Sequence, residues 1–288
     1  MSHTPVLLKE VLEILSPRPG SFIIDGTVDG GGHAEALLAA VGGKGKILGV
    51  DLDEEILGRT REKFAENKNV ILVRGSYADL PDILLEQKLG AADGLLLDLG
   101  FSSEQLLSGR GFSFEKDEPL LMTYSDEDRP VKEWLRRLKE SELADIIYKF
   151  GGERFSRRIA RAIKSKKGIE TSKELAEIIR KAMPGNYERG RINPATRTFQ
   201  ALRIFANNEL SNLKQILGKL KEIVRPGARV AVIAFHSLED KIVKEEFKRL
   251  KQAGEGEIIT KKPIVASLAE VRENPRSRSA KLRAITIL

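Results

Sequence analysis

Four short apolar runs constrain this chain more than any other feature. They are residues 22–27 (FIIDGT), 46–51 (KILGVD), 70–73 (VILV) and 94–100 (GLLLDLG), and helical stretches read at 35–41 and 54–64 alternate with them. Strands that read as continuous apolar runs are covered on both faces, as in parallel sheets threaded through crossover helices. The expected fold class is therefore α/β. From Ser102 the alternation stops. A Gly- and Asp-rich loop leads into amphipathic helices, with Phe155, Ile159 and Ile163 on one helical face and Leu175, Ile178, Ile179 and Ala182 on another. The α/β pattern resumes with a helix over 209–224, a Pro226-Gly227 turn, a strand over 229–235, a helix over 241–250 and strands at 257–260 and 284–288. This predicts an all-helical insert at 105–205, with the sheet domain built from 1–104 and 206–288.

Composition narrows the chemistry. The 288 residues are 41% hydrophobic, enough for a substantial core. No apolar run approaches the roughly 18–20 residues of a membrane span. Met1-Ser2-His3-Thr4 lacks the features of a signal peptide, so a cytoplasmic protein is expected. There is no cysteine, which excludes disulfides, thiol nucleophiles and thiolate-bound clusters. His3, His33 and His236 are far apart in sequence, so no metal centre is expected. Between Arg129 and Arg191 lie 18 basic and 9 acidic side chains, a local net charge of +9 against +7 for the whole chain. One segment thus holds the excess positive charge, the footprint of a polyanion-binding part on a near-neutral scaffold.

Three strand ends hold suspect residues. Asp25-Gly26-Thr27-Val28-Asp29-Gly30-Gly31-Gly32-His33 closes the first strand with glycines that let a ligand approach the backbone, but no register gives the dinucleotide fingerprint. Asp51 ends the second strand, where an acid in such a fold binds ribose hydroxyls. Tyr77 stands beyond the third, suited either to flank an adenine or to edge the core. Asp98 interrupts an apolar strand, and a carboxylate there is either paired or functional. After the fifth strand come His236 and Ser237, placed to contact substrate, with Ser237 equally suited to cap the next helix. Arg154, Arg157, Arg158, Arg161 and Lys164 recur at helical spacing, a row fit to track a phosphate backbone. Arg272, Arg276, Arg278, Lys281 and Arg283 form a second basic group.

Several longer motifs carry a resemblance. They are residues 3–8 (HTPVLL), 30–33 (GGGH), 95–100 (LLLDLG) with Ser102-Ser103, 110–114 (RGFSF), 194–201 (PATRTFQA), 235–240 (FHSLED) and 274–279 (NPRSRS). Together they span almost the whole chain, which resembles the MraW-like (RsmH) family of S-adenosylmethionine-dependent rRNA methyltransferases. The resemblance implies a class I, Rossmann-like methyltransferase sheet with an inserted helical domain. It implies an S-adenosylmethionine site at Gly30, Gly31, Gly32, His33, Asp51, Tyr77, Asp98 and Gln105, with Asp98 and His236 as candidate catalytic residues. Arg197 joins Arg154, Arg157, Arg158 and Arg161 as an RNA-binding candidate. The implied target is the N4 amine of the cytidine at position 1402 of 16S rRNA in the small ribosomal subunit, and the missing cysteine fits an exocyclic nitrogen better than cytosine C5. The chain departs from the family pattern in three places: Asp29 stands for glycine, Leu121 for aspartate and Thr123 for arginine. Two other classes stay open to the sequence: a catalytically silent rRNA-binding or ribosome-assembly protein, and a nicotinamide-dependent oxidoreductase.

Overall fold

The computed structural model describes residues 5–185, 187 and 193–288; His3 and Thr4 of the first motif, and Arg191 at the end of the basic segment, lie outside them. The chain divides into two compact units, residues 1–100 with 210–288, and residues 101–209. The first unit contains a seven-stranded sheet of β1 (Phe22–Asp25), β2 (Lys46–Asp51), β3 (Val70–Arg74), β4 (Ala92–Asp98), β5 (Val224–Ala234), β6 (Gly256–Ile258) and β7 (Lys281–Ile287). Their order is β3-β2-β1-β4-β5-β7-β6, with the first five parallel and β7 antiparallel to both β5 and β6. This is the class I methyltransferase sheet that the resemblance implied. Its helices are α1 (Leu8–Leu15), α2 (Gly32–Val41), α3 (Glu54–Lys63), α4 (Leu80–Glu86) and, beyond the second unit, α11 (Glu209–Gly218), α12 (Leu220–Ile223), α13 (Ser237–Gln252) and α14 (Leu268–Glu273). The second unit is helical: α5 (Ser103–Leu107), α6 (Val131–Arg137), α7 (Glu140–Gly151), α8 (Ser156–Lys164), α9 (Ser172–Ala182) and α10 (Thr196–Ala206).

Alternate residues of each strand feed opposite cores, as pleating requires. Ile24, Leu48, Val50, Leu95, Leu97, Val230 and Val232 are buried with α4, α11 and α13 on one face. Ile23, Ile47, Leu96, Ala231 and Ile233 are buried with α1 and α2 on the other. The parallel register sets the C-terminal ends of β1, β2, β3 and β4 along one edge, and the direction of strand order reverses between β1 and β4. Ligands of open α/β sheets bind at such a switch point. The start of the described chain is tied to its C-terminal third: the Leu7 N–H donates to Glu270 Oε1 at 2.8 Å, and Arg229 donates to the Ile14 carbonyl at 2.8 Å.

The structure corrects several sequence boundaries. α2 starts at Gly32 rather than at residue 35, because Gly31 takes a left-handed conformation (φ +72°) and serves as its N-cap. The helix expected over 209–224 is broken after Gly218. The Pro226-Gly227 pair is not a turn before the strand: β5 already starts at Val224, and its register against β4 shifts between Ala92 and Gly94. An irregularity of this kind lets a strand tolerate proline, which has no N–H for the ladder.

In the helical unit a few buried polar groups fix the packing. Glu153 is fully buried and accepts from Tyr187 Oη and from the Phe155 N–H at 2.8 Å. Arg203 forks onto Glu209 at 2.8 and 2.9 Å, and Tyr124 Oη donates to the same carboxylate at 2.9 Å. Leu97 is buried in the middle of the sheet unit's core. Leu97→Ala is expected to lower unfolding stability by about 3 kcal/mol in urea denaturation, through lost burial and the cavity left behind; a loss under about 1 kcal/mol would show that the core closes around the gap.

Candidate active site

Four carboxylates gather at the strand ends. Asp25 closes β1, Asp51 closes β2, Asp98 closes β4, and Asp29 sits in the loop after β1. The loop is tied from several sides. Asp51 Oδ2 accepts from the Asp29 N–H and its Oδ1 from the Asp53 N–H, each at 3.0 Å. Thr60 Oγ1 donates to the Asp29 carbonyl at 2.6 Å, and Lys63 reaches the Gly30 and Gly31 carbonyls at 3.4 and 3.3 Å. A side chain at Gly31 would be strained, since φ is +72° and a Cβ would stand 2.6 Å from the Phe64 ring, which would have to shift. Asp29 itself has φ +45°, a conformation that glycine takes freely and aspartate tolerates. That explains how the departure from glycine fits the same loop while adding a charge. Thr27 links the two central strands, its Oγ1 accepting from the Asp98 N–H at 2.7 Å.

Burial drives the electrostatics of the group. Desolvation pushes the Asp25 carboxyl up to about 7, reinforced by repulsion from Asp51 and Asp29. Desolvation likewise lifts Asp51 to about 7, with Asp29 and Asp53 adding repulsion. Asp98 is held well above the ordinary carboxylate range by the same burial, then by Asp25 and Asp29, with Arg276 pulling the other way. One oxygen each of Asp25, Asp29 and Asp98 is buried without a hydrogen-bond partner among the described residues. His33 is buried beside them, its Nε2 donating to the Val6 carbonyl at 3.0 Å while Nδ1 stands 3.7 Å from Asp98 Oδ2. Crowded, under-neutralised carboxylates beside a glycine loop and a helix start suit a ligand that brings positive charge and hydroxyls. S-adenosylmethionine, with its sulfonium, ammonium and ribose, has that chemistry, and the residues present fit it.

The remaining predicted residues fall out differently. Tyr77 follows β3 at the same edge and is partly buried against the core. His236, not Ser237, is the N-cap of α13: its Nδ1 accepts from the Glu239 N–H at 3.4 Å, and Glu239 Oε1 lies 3.0 Å from its Nε2. Glu239 Oε2 accepts from the Phe235 N–H at 2.8 Å, locking this strand end. Gln105 lies in the helical unit, where it completes a capping box with Ser102: its Oε1 accepts from the Ser102 N–H at 3.0 Å. Arg154, Arg157, Arg158 and Arg161 are all exposed; Arg154 stacks over Phe155 at 4.8 Å and Arg161 pairs with Glu140 at 3.5 Å. Arg197 is drawn towards buried Glu153 at 3.8 Å. Thr123 is buried, with Arg110 Nε on its carbonyl at 2.9 Å and Nη2 on its Oγ1 at 3.3 Å, while the Leu121 carbonyl accepts from the Val131 N–H at 2.8 Å. The loop that departs from the family pattern is thus held by Arg110 and by backbone bonds. Sequence reasoning left out Arg276 and Glu239 as electrostatic neighbours of Asp98, although both lie in motifs it quoted.

A raised carboxyl pKa makes folding favour the protonated acid, so the stability it costs grows as pH rises from about 4 towards 7 and is fully felt above that. Asp25→Asn is therefore expected to raise the ligand-free protein's stability by about 2 kcal/mol at pH 8, with a smaller gain at pH 5. Thermal unfolding at both pH values checks this, and an equal effect at the two would show that Asp25 does not titrate between them.

Known proteins add an independent comparison. A model of the MraW methylase family matches residues 1–288. The chain is 46% identical over 288 residues to "Ribosomal RNA small subunit methyltransferase H" of Coprothermobacter proteolyticus, covering 98% of this chain and 95% of that one. A protein of the same name from Deinococcus deserti is 46% identical over 286 residues, covering 98% and 92%. Another, from Thermotoga neapolitana, is 43% identical over 292 residues, covering 99% and 96%. With the strand-end carboxylates, the glycine loop and a match along its whole length, the chain belongs to the MraW methylase family.

Proposed function

We propose that this protein methylates the N4 amine of a cytidine, the one at position 1402 of 16S rRNA in the small ribosomal subunit, with S-adenosylmethionine as donor. Relatives at 43–46% identity bear the name of small-subunit rRNA methyltransferases. The observation that carries the reading is the orphaned Asp98 oxygen, buried at the switch point among three other carboxylates. When bound, S-adenosylmethionine supplies an electrophilic methyl group on a positively charged sulfur. Asp51 would hold its ribose hydroxyls, Gly30, Gly31, Gly32 and His33 would line its site at the start of α2, and Tyr77 would add a contact at the same strand edge.

The difficulty of the reaction lies in the nucleophile, because the N4 lone pair is delocalised into the cytosine ring. A carboxylate accepting a hydrogen bond from the amine localises that pair on nitrogen. Asp98 is proposed as that acceptor. On methylation N4 must lose one proton, and the Asp98 carboxylate would take it, its burial making it a stronger base than an exposed aspartate. Holding the flipped base against this group turns the transfer into a well-oriented encounter. His236 serves as a positioning residue, since its ring is engaged by Glu239 and by the cap of α13. Arg154, Arg157, Arg158, Arg161 and Arg197 are proposed to hold the RNA backbone, with Arg157 and Arg158 the most available of them.

Incubation with unmodified small subunits and S-adenosylmethionine, followed by nucleoside mass spectrometry, is expected to show N4-methylcytidine. If none appears while subunit and donor still bind, the silent rRNA-binding reading replaces this one. Asp98→Asn is expected to cut kcat by about 10²-fold or more while the protein stays folded; turnover at the wild-type rate would remove Asp98 from the reaction.

A further inference from the structure

The helical unit has a basic cavity separate from the residues assigned above. α6 ends at Arg137, α8 ends at Lys164, and a tight turn with Gly168 at φ +70° leads on to α9. A cavity of about 320 Å³ here is lined by five cations, Lys132, Arg136, Lys164, Lys166 and Lys167. Two of these charges are neutralised by a single acid: Glu170 accepts from Lys132 at 3.2 Å and from Arg136. A third is used structurally, because Lys164 Nζ donates to the Leu135 and Arg136 carbonyls at 2.9 and 3.3 Å at the end of α6. Lys166 and Lys167 remain, both exposed and with no partner shown among the described residues. They also border a neighbouring cavity with Lys181, Glu174 and Glu177, where Glu174 is occupied by the Glu170 and Thr171 N–H groups at 2.8 and 3.1 Å.

Cations at a helix C-terminus complement its dipole. That explains Lys164, whose ammonium sits on the last carbonyls of α6. It does not explain two further lysines on the same cavity, where like charges repel until an anion enters. Arg157, Arg161 and Lys164 share one face of α8 at i, i+4 and i+7 and so lead along the helix towards this cavity. That row covers about 10 Å of helix axis, a length that consecutive phosphates of one strand can follow and one small anion cannot.

We propose that this cavity is a phosphate subsite for the RNA backbone, in which Lys166 and Lys167, with Arg136 beside them, hold one phosphodiester beyond the Arg157–Arg161 row. The proposal rests on reading the protein as an rRNA methyltransferase and extends its RNA contacts to the turn between α8 and α9.

The test uses the full-length protein with Lys166→Ala and Lys167→Ala combined, titrated with deproteinised 16S rRNA over a series of salt concentrations. The expected result is affinity about tenfold weaker at ~0.1 M salt, and a slope of log K against log[salt] shallower by about 0.8, the share of one phosphate. S-adenosylmethionine binding measured by calorimetry is expected to stay at the wild-type value. Glu170→Gln keeps every lysine, frees Lys132 and Arg136, and is expected to tighten RNA binding. Wild-type affinity and slope in both variants would overturn the proposal. Inorganic phosphate that protects the wild type but not the double variant from heat, with RNA affinities equal, would mark a small-anion site and overturn it too. Failure of the reaction reading is separate: a wild type that binds RNA but forms no N4-methylcytidine loses that reading while the salt slopes still stand.

Discussion

Burial of carboxylates crowded at one sheet edge, with their mutual repulsion added, is the constraint around which the sheet unit is organised. Asp25, Asp51 and Asp98 end three strands brought alongside one another by their parallel pairing, and Asp29 adds a fourth charge from the loop. Left alone, such a group disfavours its own fold by holding protons above their ordinary affinity. The apolar sheet beneath must absorb that cost, and completely buried residues such as Ile24, Leu48 and Leu95 do so from directly below the site. Binding of a cation at this edge would then relieve strain and add contacts in one step, so ligand and fold reinforce each other.

The neighbouring hydrogen bonds show how the strain is contained. Thr27 ties the end of β1 to the Asp98 backbone, and Asp51 clamps the loop by accepting from Asp29 and Asp53. His33 is fixed through Val6, so the N-terminal segment is part of the wall of the site. On the far side Glu239 secures the end of β5 through Phe235 and His236. A rigid frame of this kind suits a reaction in which alignment matters more than movement of the protein.

Much of this was legible from the sequence, for physical reasons. An acid that ends an apolar strand is conspicuous, and Asp51 and Asp98 stand where the pattern placed them. The first four of the five parallel strands were legible because burial on both faces leaves no polar alternation. His236 was harder: with Ser237 beside it, the composition favoured the serine as the cap, and only the extended backbone of His236 assigns the role. Gln105 had a readable alternative in the S-x-x-Q spacing from Ser102, which is a capping box. Arg276 is visible as part of a basic group, but its effect on Asp98 depends on the chain returning from its C-terminal part, which no local pattern encodes. Lys132 and Lys166 belong to separate helical stretches in sequence, and only the packing of α6 against the turn after α8 makes one cavity of them.

The bond between Leu7 and Glu270 spans nearly the whole chain, and β7, formed from the last residues, lies between β5 and β6. During synthesis the helical unit is a continuous stretch and emerges complete while the sheet still lacks β5, β6 and β7. A ribosome-bound chain would therefore display a finished polycation-bearing module before its sheet can close. The order of manufacture is thus fixed by the topology: the basic helical unit is complete in the chain before the sheet unit that brackets it.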